Sequence, residues 1–298
     1  MTGKSQLENE RASAIDPKQA EEGERPESLA SDELGKRPPR DLTRASGLWS
    51  RRLLGLFLPL LTFVLIVVVW QVAVTIFHVP SFVVPGPIQI PGAFSANSSA
   101  ILSATRSTLE ESLLGFVLAA IAAIPLALAI TTVKVLYKTL YPLLIVIQAI
   151  PKIALGPLFV IWFGFGLLPK VALVFLLTFF PILVASATGF KALDVKLLYL
   201  MRSMGASRTQ IVFKLRILEA LPHIFGGLEV GIVLSTTAAL VAEFIGSNSG
   251  LGYLLLQSQG QLETPLVFAI IVIISAMGVI FAGVLLALKR LLMPWSRL

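Results

Sequence analysis

Apolar residues run through this chain in long blocks separated by short polar interruptions, with no strict alternation of apolar and polar positions. Six blocks approach the roughly 20 residues that carry a helix across a bilayer. They are 53–77, 107–131, 139–165, 171–190, 224–245 and 265–288. The third holds Pro142, Pro151 and Pro157 and closes on Gly164-Phe165-Gly166. A helix broken at membrane depth is tolerated only where neighbouring protein or a cavity satisfies the freed backbone groups. This block therefore reads either as pathway lining or as an ordinary proline-bearing span. Residues 78–105 carry Pro80, Pro85, Pro87 and Pro91 without a strong period and read as an external loop. Residues 246–264, with Gly246, Gly250 and Gly252, read as a short re-entrant turn.

Composition supports the pattern. Of 298 residues, 56% are hydrophobic and only 14% charged, and the mean hydropathy is +0.86, outside the range of a soluble domain. The expected fold class is all-α integral membrane, with about six transmembrane helices. The chain has no cysteine, which excludes disulfides and thiolate metal sites, and the two histidines, His78 and His223, lie far apart and cannot by themselves make a metal site. The net charge of +7 lies wholly in the apolar part, because residues 1–52 hold ten Lys/Arg and ten Asp/Glu. The basic balance is therefore no sign of nucleic acid. That tail, rich in Glu, Ser, Pro and Arg, cannot bury enough apolar surface to offset chain entropy and is expected to be disordered. It shows no secretory h-region, since the first long apolar run follows Arg51-Arg52. The division is thus a tail at 1–52 and a membrane domain at 53–298. Placing both termini in the cytoplasm puts 21 of the 24 Lys/Arg inside and leaves Arg106 and Lys170 outside, with Lys152 inside the third span. Trp49, Trp70 and Trp295 fall near span ends, as interfacial anchors do.

One internal loop is long, 191–222, and it has a local design. Asp194 is placed to cap a helix running to about Met204, and Gly205 suits the left-handed residue that ends one. Ser207 and Gln210 make a capping-box pattern for a second helix. Leu197, Leu198, Leu200, Met201 and Met204 give the first helix an apolar side, while Arg202, Arg208, Lys214 and Arg216 keep the segment basic. An apolar knob with a basic rim suits docking in another protein's groove or, equally, lying on an anionic leaflet.

Three stretches decide between these. PKIALGPLFVIWFGFG at 151–166, FFPILVASATGFKALD at 179–194 and AEFIGSNSGLGYLL at 242–255 resemble the transmembrane permease subunits of binding-protein-dependent ABC importers, in the branch serving aliphatic sulfonates, taurine and nitrate. The resemblance covers about residues 80–290. The family's cytoplasmic signature is a Glu-Ala-Ala triplet, a glycine and a downstream Leu-Pro. Gly205 with Ala206-Ser207 matches the glycine, Tyr199-Leu200-Met201 stands where the triplet would be, and Ile217-Leu218 replaces the first Leu-Pro, with Leu221-Pro222 following. No glutamate is therefore available at Tyr199 to meet a partner arginine. The resemblance implies an ATPase-coupling loop carried by Tyr199, Leu200, Met201, Arg202, Gly205, Ala206, Ser207 and Arg208. It further implies a homodimer in the bacterial inner membrane, two cytoplasmic ATP-binding subunits and an external solute-binding protein. ATP and Mg would belong to those partners, and the chain itself has no G-x-x-x-x-G-K-[ST] loop, as befits a transport subunit that is not an enzyme. The solute implied is a small anion.

Ionisable or polar groups inside spans are functional candidates by default. Lys152 could attract an anion, snorkel, or pair with a helix carbonyl or Glu243. Glu243, near the end of the fifth span, could gate, pair with Arg106 or Lys170, or lie at the interface. Gln148 and Thr236 are polar on apolar spans, Glu229 lies near the inner interface, and His223 reads as a surface residue at a helix start. An ion-coupled secondary transporter is the alternative, with Glu229, Glu243 and Lys152 as its only plausible carriers.

Overall fold

The computed structural model describes residues 46–294, with side chains from 58 onward apart from those of Lys134 and Ile145. The expected tail up to residue 45 and the anchors Trp49 and Trp295 lie outside these described residues or side chains. The chain divides into two compact units, Met1–Phe63 and Val64–Leu298. In the first, the described residues are helical; the second carries everything below except the start of α1.

Eleven α-helices occur among the described residues: α1 Ser46–Ile76, α2 Gln89–Ala96, α3 Ser98–Thr132, α4 Lys134–Gln148, α5 Gly156–Phe163, α6 Leu167–Lys191, α7 Val195–Ser203, α8 Arg208–Ile211, α9 Ile217–Gly246, α10 Leu251–Gly260 and α11 Thr264–Leu292. A 3₁₀ turn, Lys152–Leu155, precedes α5, and a wide π turn, Val212–Arg216, joins α8 to α9. Five stretches are long and apolar enough to cross a membrane: Leu58–Ile76, Ser98–Thr132, Leu167–Lys191, Arg208–Gly246 and Thr264–Leu292. The sixth expected span is the pair α4 and 152–163, bent by 85° at the break around Pro151. The proline cannot donate to the helix ladder, and its backbone there is extended (ψ 90°), so the single broken span read from the sequence is two helical arms.

The core is the triple contact of α3, α6 and α9. Ala119, Ala123 and Ala127, one helical turn apart on α3, are fully buried there. Small residues along such a stripe let backbones approach closely, which is how helices associate when lipid removes the usual hydrophobic drive. Gly227 of α9 repeats the device, since a Cβ there would strike Ala185 of α6 and the Ile182 backbone. Phe116, Ile130, Ile182, Leu183, Phe190 and Phe225 fill the space around these contacts.

α1, α3 and α9 begin well before their apolar blocks, and residues 46–52, expected in the disordered tail, are helical as the start of α1. α3 starts at Ser98 because Ile101 and Ala104 pack against Leu251, Leu266 and Ile270, so tertiary contact carries the helix through a polar stretch. α9 starts at Ile217 and holds Pro222 inside it; His223 is therefore exposed within a helix and not at its start. The 246–264 segment contains the ten-residue α10. Lys170, expected in an outer loop, sits in the first turn of α6 and is buried.

Candidate functional site

At one end of the bundle α6 leads into an elbow. The Asp194 carboxylate accepts the Lys196 backbone N–H at 2.8 Å and so caps α7. Gly205 follows with φ +74°, a left-handed conformation that L side chains rarely adopt, and turns the chain sharply. Its N–H donates to Arg202 O at 3.0 Å, while that of Ala206 donates to Met201 O at 3.0 Å. The capping box then closes: Ser207 Oγ accepts Gln210 N–H at 3.3 Å, and Gln210 Oε1 accepts Ser207 N–H at 2.8 Å. All three local predictions are present. Tyr199 is 64% and Met204 75% exposed, with Val195, Leu200 and Phe213 also outward, so a rigidly built corner presents an apolar knob. Arg202 and Arg208 lie on its two arms.

Near the break between the bent arms, Lys152 Nζ donates to Gln148 O at 3.1 Å and lies 4.9 Å from the centre of the Phe180 ring. Lys152 thus has one of its expected partners, a helix carbonyl, and forms no ion pair with Glu243. Gln148 itself lines a small cavity of about 90 Å³ with Tyr141, Leu144 and Leu183. Thr236 is buried in the core, and its Oγ1 has no hydrogen-bond partner among the described residues.

The opposite end of the bundle holds a buried polar cluster that local sequence patterns do not reveal. Lys170, on α6, pairs with Glu111, on α3, and also donates to Ser247 Oγ at 3.1 Å. Glu111 and Glu243 are each 1% exposed. Thr108 Oγ1 lies 2.7 Å from Glu243 Oε1, and the Gly252 N–H donates to Glu243 Oε2. Beside the cluster lies a half-open cavity of about 350 Å³, lined by Ser107, Glu110, Lys170, Phe165, Asn248 and Ser249 among others. Arg106 pairs with Glu110 at 3.0 Å on the surface, so it is not the partner of Glu243, and the ion pair of Lys170, the other expected partner, is made with Glu111. Glu229 pairs with Lys289 of α11 at 2.8 Å. The carriers that an ion-coupled transporter would need do not pair with one another: Lys152 bonds to Gln148 O and Glu229 to Lys289, and neither is bonded to Glu243. Among the described residues no group of His, Cys, Asp and Glu could hold a metal ion.

The family model described as "Binding-protein-dependent transport system inner membrane component" matches residues 115–294. A formylaminopyrimidine transport permease protein, ThiX, of Halalkalibacterium halodurans is 34% identical over 80% of this chain and 96% of its own length. A riboflavin transport system permease protein, RibX, of Chloroflexus aurantiacus is 38% identical over 79% of this chain and 88% of its own. A taurine transport system permease protein, TauC, of Escherichia coli is 28% identical over 78% and 88%. Among solved structures, an inward-facing form of the MetNI methionine ABC transporter superposes with a TM-score of 0.58 at 17% identity, over 65% of this chain and 97% of that one.

Proposed function

Because the chain belongs to the family of binding-protein-dependent transport system inner membrane components, we propose that two copies of it line the path of an ATP-driven importer and that the 195–208 elbow receives the ATPase stroke. Membership makes it a multi-pass permease subunit of an ABC importer and not an enzyme. In the proposed assembly two ATP-binding subunits sit on the cytoplasmic side, holding ATP and Mg, and a solute-binding protein docks outside. The elbow end is cytoplasmic, with both chain termini, as the distribution of Lys and Arg supports.

The observation that carries the coupling role is the pre-formed elbow: capped on both arms, fixed by Gly205, and exposing Tyr199, Leu200 and Met204. Apolar side chains on a rigid helix suit a groove in another protein. Tyr199-Leu200-Met201 makes that contact apolar and aromatic where the family signature has an acidic residue, so packing carries it. Replacing Leu200 and Met204 by Asp tests this: co-purification of the ATP-binding subunit is expected to fail while the permease still elutes as a folded dimer. Retention of the subunit at wild-type yield sinks the coupling role.

The solute we favour is a small nitrogen heterocycle. The two relatives at 34% and 38% identity are named for formylaminopyrimidine and riboflavin transport. Lys152, the cation best placed to attract an anion, is engaged with Gln148 O and the Phe180 face. The likeness to a taurine permease favours a second reading, a sulfonate-like anion. Uptake into proteoliposomes holding the complete importer separates them. Preference for riboflavin or formylaminopyrimidine over taurine is expected, and the reverse order establishes the anion.

A further inference from the structure

α10 lacks a capping side chain of its own. Its N-cap is Gly250, at φ +103°, and no side chain within the helix meets the first amides. Two other helices supply the acceptors. The Leu251 N–H donates to Thr108 Oγ1 of α3 at 2.8 Å, and the Gly252 N–H donates to a carboxylate oxygen of Glu243 of α9. The amides at a helix start have no intrahelical partner, and negative charge is favoured beside them. Glu243 and Thr108 are also joined to each other at 2.7 Å. The fit is tight, because a Cβ at Gly250 would collide with the Glu243 carboxylate and one at Gly252 would come 2.8 Å from it. The turn leading into α10 is held as well, by Lys170 of α6 through Ser247 Oγ.

We propose that Glu243 and Thr108 are positioning residues for transport: they cap α10 from outside and make it a rigid extension of the α3–α6–α9 core at the end opposite the elbow. α10 touches α3, α9 and α11, so it is the piece of that end which a loose cap would free. A tilt started at the elbow then reaches this end without being absorbed in the 247–252 turn. The role rests on the importer reading above, since transmission matters only if the elbow is driven.

The test uses the complete importer in nanodiscs for hydrolysis, the same complex in liposomes for uptake, and spin labels at Leu102→Cys of α3 and Gln259→Cys of α10. Both positions are exposed, and the chain has no cysteine to compete for the label. Glu243→Ala and Thr108→Val should broaden the α3–α10 distance distribution and lower the uptake per ATP hydrolysed of whichever of riboflavin, formylaminopyrimidine and taurine the unmodified complex imports, by roughly tenfold, the scale of an ordinary coupling energy, with basal hydrolysis intact. Glu243→Gln should restore both readouts: its Oε1 accepts the Gly252 amide and its Nε2 donates to Thr108 Oγ1, which can turn its own proton to Ala104 O, 3.1 Å away. Thr108→Ser should do the same. Unchanged distances in Glu243→Ala, broadened distances with unchanged coupling, or failure of Gln to rescue would each overturn the proposal. If the unmodified complex moves no solute on ATP, the importer reading falls, and the label distances still decide whether the cap holds α10.

Discussion

An ammonium removed from water must be paired, and Lys170 is paired at 5% exposure by Glu111 at 1%. Removing one member of such a pair strands the other, at a cost of about 3–5 kcal/mol, whereas replacing both with apolar groups can be close to neutral. Lys170→Met, which leaves the Glu111 and Glu243 carboxyls facing each other without their cation, should therefore lower the thermal unfolding midpoint sharply in detergent, and Glu111→Leu with Lys170→Met should recover most of the loss. A double variant as unstable as the single one would contradict this account of the pair. The sequence offered no route to this partnership. The partners are 59 residues apart on different helices, and Lys170 lies at the edge of an apolar block, where a basic residue is ordinary. Lys152 was visible as an unusual charge inside a span, but its choice among carbonyl, lipid boundary and carboxylate depended on the bend, which a proline signals without fixing its angle.

Elements were legible in proportion to how local their causes are. Asp194, Gly205, Ser207 and Gln210 act within a few residues of themselves, so the elbow is legible in the sequence down to its caps. Span positions followed from apolar length, but the starts of α3 and α9 did not, because packing by Ile101 and Ala104, and the π turn at 212–216, extend helices through polar sequence. The locality of the elbow gives a graded prediction. Nothing lies within 4 Å of a Cβ built at Gly205, so Gly205→Ala should cost only the left-handed backbone strain, about 1 kcal/mol, and Gly205→Asn less. Amide hydrogen exchange across 195–211 measures the difference; an Asn variant exchanging faster than the Ala variant would refute it. The alanine stripe of α3 makes the opposite prediction. Ala123 is fully buried, so Ala123→Leu should destabilise by about 1–3 kcal/mol through overpacking, read as a lower midpoint in detergent.

Across the whole molecule, the two ends of the α3–α6–α9 core have different characters. One carries an exposed apolar knob on a capped corner, the other a buried polar cluster around α10. A permease subunit driven from one side needs both a surface on which a motor can push and a body stiff enough to carry the push, since coupling is a differential free energy between two states of that body. The ratio of solute imported to ATP hydrolysed is the most direct measure, taken on the permease with its ATP-binding subunits and binding protein, for the unmodified chain and for Gly205→Pro, which deforms the elbow corner. The account predicts that the subunits assemble, that binding protein stimulates hydrolysis in the unmodified complex, and that Gly205→Pro loses this stimulation while remaining folded. A Gly205→Pro complex with undiminished stimulation and import, or solute movement by the permease alone without ATP, would contradict it.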